Sequence, residues 1–204
     1  MKFTKSLIKG KLVKRYKRFF TDIKLNQETI VAHCPNTGSM MGLLDEGNEV
    51  FVSKNDDPKR KLKYTLEIIK VKKNLVGVNT HFANKIAFHG LSNNLVKEVK
   101  NTNNIKPEVF FDKETRFDFL VEKDNQKTFV EVKNVTLSRK DKLAEFPDAV
   151  TTRGSKHLKT LIAATKKGYK TYLLFLVQIQ GVTDFKIAKD IDKEYYENYK
   201  LAKK

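Results

Sequence analysis

Arg116-Phe117-Asp118-Phe119-Leu120-Val121 and Thr128-Phe129-Val130-Glu131-Val132-Lys133 are two apolar runs, each interrupted by charge, with the polar link Lys123-Asp124-Asn125-Gln126-Lys127 between them. The spacing predicts a hairpin of two strands. Strand side chains alternate faces, so Glu131 and Lys133 point the same way, and Asp118 on the partner strand brings a second carboxylate to the ammonium. The flanking Phe117, Phe119, Val121, Phe129, Val130 and Val132 predict central strands, where an unpaired carboxylate is costly. A divalent cation would offset that cost. Mg2+ or Mn2+ takes oxygen ligands and keeps several waters, so Asp118, Glu131 and the backbone carbonyl of Val132 suffice to hold it. Lys133 would then orient or deprotonate an attacking water and screen charge building on a phosphoryl group. The simpler alternative is an Asp118 to Lys133 salt bridge with no metal.

The chain has 204 residues, 41 Lys and Arg against 24 Asp and Glu, and a formal net charge of +17. That balance favours a polyanionic partner through counterion release, with nucleic acid ahead of an anionic membrane surface. There is no apolar run of about 18 residues and no leader-like N-terminus, which predicts a cytoplasmic protein with no membrane partner. Cys34 is the single cysteine, which excludes an intrachain disulfide and a zinc site built on several thiolates.

Residues 1–80 read as short strands: Leu7 to Val13, Phe19 to Leu25, Thr29 to Cys34, Glu49 to Ser53, Leu66 to Val71 and Leu75 to Gly77. Many short strands separated by turn residues predict a small barrel of the oligonucleotide-binding (OB) type. Residues 81–204 change texture. Helical spacing runs through Ala83 to Val99, followed by the Asp118 and Glu131 strands, a helix from about Ala149 to Lys167 and the apolar run Tyr172 to Val177. Asp190 to Lys204 reads as a surface helix with Tyr195, Tyr196 and Tyr199 on a partly apolar side. Helices alternating with strands predict an α/β domain.

Several basic and polar groups are candidates for nucleic-acid binding. Lys14, Arg15, Lys17 and Arg18 are interleaved with Tyr16, Phe19 and Phe20, a mixture suited to single strands, unless the rings belong to the barrel core. Asn36, Thr37 and Ser39, after His33-Cys34-Pro35, suit a tight turn that offers backbone N–H groups to an anion. A Cys-His nucleophile is rejected there because no orienting carboxylate is nearby. Lys59 and Arg60 begin a basic stretch after Asn55-Asp56-Asp57-Pro58. On the helix near Ala149, Arg153, Lys156 and His157 share a side that can meet a phosphate. His157 is either a general acid or an anion contact. Asp148 reads as an N-cap before a metal ligand, and Glu98 as either a further carboxylate for the ion or a solvated helix residue.

Arg15-Tyr16-Lys17-Arg18-Phe19, Ala32 to Met40, Asp57-Pro58-Lys59-Arg60-Lys61-Leu62, Gly77-Val78-Asn79-Thr80, Arg116 to Phe119, Val130 to Leu137 and Phe146 to Thr151 together resemble the sugar fermentation stimulation protein family, SfsA, from about Gly10 to Ile191. The resemblance implies an OB-like barrel (1–80) followed by a PD-(D/E)xK nuclease-like α/β domain (81–204) with a central mixed sheet. It places that signature on Asp118, Glu131 and Lys133, with Asp148, Arg153 and His157 nearby. It also implies binding of single- or double-stranded DNA with little sequence preference, with RNA as the alternative, and a bacterial role in regulating sugar use, maltose in particular. A further apolar strand is expected in the family beyond Ala202-Lys203-Lys204.

Overall fold

A computed structural model describes Phe3 and residues 6–204. The chain divides into two compact units, one of Met1–His81, Val135–Ala149 and Val177–Lys186, the other of Phe82–Asn134, Val150–Leu176 and Ile187–Lys204.

The first unit opens with β1 (Ile8–Tyr16), β2 (Phe20–Leu25), β3 (Glu28–His33), β4 (Glu49–Lys54), β5 (Tyr64–Val71) and β6 (Asn74–Gly77). The strand order is β3-β2-β1-β4-β5-β6, and a parallel pairing of Ala32 with Tyr64 and His33 with Thr65 joins β3 to β5. Strands β1 to β5 therefore form a closed five-stranded barrel of the OB type, as the spacing of short strands predicted. Alternating residues fill it, with Leu12, Ile23, Ala32, Val50, Val52, Leu66 and Ile69 at most 1% exposed. Gly10 is dictated by packing: a Cβ there would sit 2.6 Å from Leu25 Cδ2 and 2.7 Å from Ile23 Cγ2. Register shifts between Leu12 and Lys14, and between Phe51 and Val52, bend the strands toward closure.

The second unit takes in α1 (Thr80–Ser92) from Phe82 onward, β7 (Asn104–Phe110), β8 (Arg116–Lys123) and β9 (Gln126–Val135) up to Asn134. Helix α1 is shorter than the Ala83 to Val99 spacing predicted. Asn94 adopts φ 58° and Leu95 N–H donates to Gly90 O at 2.9 Å, so the chain leaves the helix and Glu98 lies in a turn, away from the strands' acidic pair. The chain then forms β10 (Leu137–Lys140) and β11 (Leu143–Phe146), α2 (Thr152–Lys166), β12 (Lys170–Val177), β13 (Asp184–Ile187) and α3 (Lys193–Ala202). Strands β10, β11 and β13, which fall in the first unit but for Ile187, make a small sheet in the order β10-β11-β13.

The central element of the second unit is a mixed sheet in the order β12-β9-β8-β7. Val130 and Val132 of β9 pack with Ala87 and Leu91 of α1, whereas Phe129 packs with Leu161 and Ala164 of α2. The sheet is thus covered by a helix on each face, which explains why β8, β9 and β12 are largely apolar. The cap of α2 is Thr151, whose side chain accepts from Gly154 N at 3.1 Å. Asp148 is not that cap: its Oδ2 accepts from Met40 N at 2.9 Å. Helix α3 is less of a surface element than its tyrosines predicted, because Tyr195 is fully buried and Tyr199 packs edge-on to Phe175. No helix among the described residues is long and apolar enough to cross a membrane.

Candidate metal and nucleic-acid site

Strands β8 and β9 bring Asp118, Glu131 and Lys133 to one end of the sheet, and α2 presents Arg153 and His157 to the same pit of about 330 Å³. Asp118 Oδ2 accepts from Val132 N at 2.7 Å, and its Oδ1 accepts from Asn84 Nδ2 at 2.8 Å. Lys133 Nζ lies 2.7 Å from Glu131 Oε1, so the ammonium pairs with Glu131, not with Asp118. His157 Nδ1 is hydrogen-bonded to that same oxygen, and Arg153 Nε lies 3.4 Å from His157 Nε2. A guanidinium only donates, so Nε2 accepts and the proton on Nδ1 is given to Glu131.

The electrostatics split the two carboxylates. Burial, then the charge of Glu131, pushes Asp118 above the usual carboxylate range, against the opposing bonds from Val132 and Asn84. Burial would also raise Glu131, but the hydrogen bond from His157 and the charge of Lys133 outweigh it and leave Glu131 below the usual range.

One atom tests whether the group fits a metal. Glu131 is 3% exposed, and its Oε2 is buried without a hydrogen-bond partner. An orphaned carboxylate oxygen costs about 1–3 kcal/mol or more, and burial with a second carboxylate beside it disfavours the ionised form of Asp118, a penalty that a cation would offset. The donors are hard oxygens, which suits Mg2+, Mn2+ or Ca2+. Two carboxylates plus a carbonyl is a sparse set, and no cluster of three or more His, Cys, Asp or Glu side chains poised for a metal occurs among the described residues. An ion here would therefore keep several waters.

Three lining residues were not anticipated: Asn84, Glu108 and Arg116. Asn84 carries no signal beyond a polar position on α1. Glu108 lies on β7, whose sequence Asn104-Ile105-Lys106-Pro107-Glu108-Val109-Phe110 mixes charge with a proline. That composition fits the edge strand it turns out to be. Lys156, on the exposed side of α2, pairs with Glu114 at 2.6 Å and does not line the pit.

In the barrel unit, Arg15 Nη2 donates to Asn36 O at 2.7 Å and to Arg18 O at 3.1 Å. Lys17 and Arg18 form the turn after β1, with φ 48° and 62°. Tyr16 and Phe20 stack on each other with centroids 5.5 Å apart, Lys14 lies over Tyr16, and Phe19 is 49% exposed. These rings lie outside the barrel core. Thr37 and Ser39 are exposed, and Lys59 and Arg60 sit on the loop after β4. The Asn36 turn is less open to an anion than its letters predicted, because Gly38 N donates to Asn36 Oδ1 at 2.9 Å and Met40 N to Asp148. Cys34 is buried beside Met40 Sδ at 3.6 Å, in keeping with its rejection as a nucleophile.

Residues 13–78 match the model for the SfsA N-terminal OB domain, and residues 81–204 match that for the sugar fermentation stimulation protein RE domain. The chain belongs to the sugar fermentation stimulation protein family. Among SfsA relatives, a homologue from Pelagibacter ubique is 83% identical over 204 residues, all of this chain and 88% of the relative. One from Pseudoalteromonas atlantica is 46% identical over 99% of this chain and 88% of its own length. Pyrococcus furiosus SfsA, solved in complex with Ca2+, superposes with a TM-score of 0.90 at 25% identity, covering 99% of this chain and 85% of that one.

Proposed function

We propose that this SfsA homologue binds DNA with little sequence preference and cleaves phosphodiester bonds with the help of a divalent cation held by Asp118, Glu131 and the carbonyl of Val132. The observation that carries the reading is the buried, unpartnered Oε2 of Glu131 beside an acid whose ionisation the fold resists. Ca2+ in the P. furiosus relative supports a divalent ion in this family; Mg2+ or Mn2+ is the species expected to serve chemistry. Bound there, the cation would polarise a phosphoryl oxygen. His157 orients Glu131 from behind rather than meeting the leaving group, since both its nitrogens are engaged within the protein. Lys133, whose side chain is 11% exposed at the pit, orients the attacking water and stabilises charge on the phosphoryl group. Arg153, exposed at the rim, receives a flanking phosphate. The net charge of +17 supplies long-range attraction, and Lys14, Lys17 and Arg18 with the Tyr16 and Phe19 rings suit a strand on the barrel.

The second reading is a DNA-binding regulator of sugar use without turnover. It is favoured by the engagement of Lys133 and His157 with one oxygen of Glu131, a network that can also serve as a closed structural clamp. Purified full chain incubated with labelled single-stranded, duplex and structured DNA in Mg2+ or Mn2+ separates the two. Products from the wild type and none from Glu131→Gln or Lys133→Ala support cleavage. Intact substrates throughout, with binding retained, establish the regulator.

A further inference from the structure

Phe110 is 64% exposed at the end of edge strand β7, while its neighbour Phe111 packs against Phe117, Phe129 and Tyr169 with centroids 5.5–6.1 Å away. One ring of the pair serves the core and the other faces solvent. A large exposed ring on an edge strand is a liability for association, so its surroundings matter. Arg116, directly opposite in the β7–β8 register, holds its guanidinium 5.7 Å from the Phe110 centroid. Arg116 Nε is fixed at 2.8 Å from Glu108 Oε2, and Glu108 Oε1 lies 3.5 Å from the same Asn84 amide that donates to Asp118. A continuous series of contacts therefore runs from the exposed ring to the acidic pair, and Arg116 lines both the ring and the pit.

We infer that Phe110 and Arg116 form a subsite for an unpaired nucleobase whose phosphate lies over the Asp118–Glu131 pit. The inference rests on the nucleic-acid reading above and names the substrate class. A flat apolar ring beside a planar cation offers base stacking together with cation–π attraction, and a base stacked there adds its backbone charge to a pit edged by Arg116, Arg153 and Lys133. A base inside a duplex has both faces covered by its neighbours and cannot use the ring without leaving the stack. The subsite thus selects single strands and unpaired loops over continuous duplex.

The chain contains no tryptophan, so Phe110→Trp places a sole indole reporter at the subsite. Titration in chelator with a short single strand, as DNA or as RNA of the same sequence, is followed by indole emission and by the anisotropy of a label on the strand. Quenching by either single strand, with little from the matched duplex at equal saturation, supports the subsite. An indole unmoved while the strand binds, or quenched equally by the duplex, overturns the subsite and leaves the proposed function standing. Absence of all binding overturns both. Phe110→Ala is expected to weaken single-strand binding roughly tenfold without changing duplex binding, and Phe110→Tyr to restore it. Equal losses for both substrates would contradict the assignment.

Discussion

Lys133 Nζ lies 2.7 Å from Oε1 of Glu131, two residues earlier on the same strand. His157 donates to that same oxygen. Both donors meet one oxygen of the carboxylate, and the other, Oε2, is buried without a hydrogen-bond partner, the position proposed above for a cation. Adding Mg2+, Mn2+ or Ca2+ to chelated protein is therefore expected to raise its melting temperature, by up to about 2.7 kcal/mol of stabilisation at a hundred times the dissociation constant. Glu131→Gln should abolish the shift, and differential scanning fluorimetry reads it. An equal shift in that variant would place the ion elsewhere.

The raised pKa of Asp118 gives the metal response a direction in pH. Its protonated form is favoured by the fold, so its contribution to stability is present below its unfolded value and lost as pH rises through the raised folded value. A cation reverses that loss. The metal-induced gain should grow as pH rises through the Asp118 titration and flatten above it. A gain constant with pH from 3 to 8, seen by calorimetry, would show that Asp118 is not a ligand.

Glu145, 1% exposed, accepts from Arg139 Nε at 2.9 Å and Nη2 at 2.8 Å, and Lys186 lies 3.2 Å away. The bonds from Arg139, opposed by burial and aided by Lys186, lower its pKa to about 2. The stability it contributes is present above its ordinary 4.5 and lost as pH falls toward 2. Glu145→Gln should cost about 2–3 kcal/mol at neutral pH, after allowance for solvent around the partly exposed Arg139 and Lys186, and almost nothing near pH 2. Urea denaturation at the two pH values measures the difference.

Lys14, Lys17 and Arg18 carry the proposed strand contact on the barrel. Replacing all three with alanine should reduce the slope of log K against log salt by about 2–3, in proportion to phosphates released. Arg15 is left out because its guanidinium also holds Asn36 O and Arg18 O, and its loss would disturb the turn itself. An unchanged slope would move the contact off the barrel.

What could be read in the letters followed from periodicity. Many short strands separated by turn residues predicted the barrel, and the apolar flanks of Asp118 and Glu131 predicted central strands. What could not be read depends on contacts between distant positions. Asp148 looks like a helix cap until Met40 N is seen to donate to it. His157 looks like a solvent-facing acid until Glu131 and Arg153 occupy its nitrogens. Glu108 sits at φ 55° on a strand with a proline, a conformation no local pattern announces, and Asn84 reaches Asp118 across 34 positions.

The central claim, a divalent cation held between Asp118 and Glu131, is tested most directly by crystals grown with Mn2+ and measured for anomalous scattering. The account predicts a single strong peak within bonding distance of Asp118 and Glu131 Oε2, with Lys133 remaining on Oε1. A pit without anomalous density at saturating Mn2+, the two carboxylates unmoved, would contradict it.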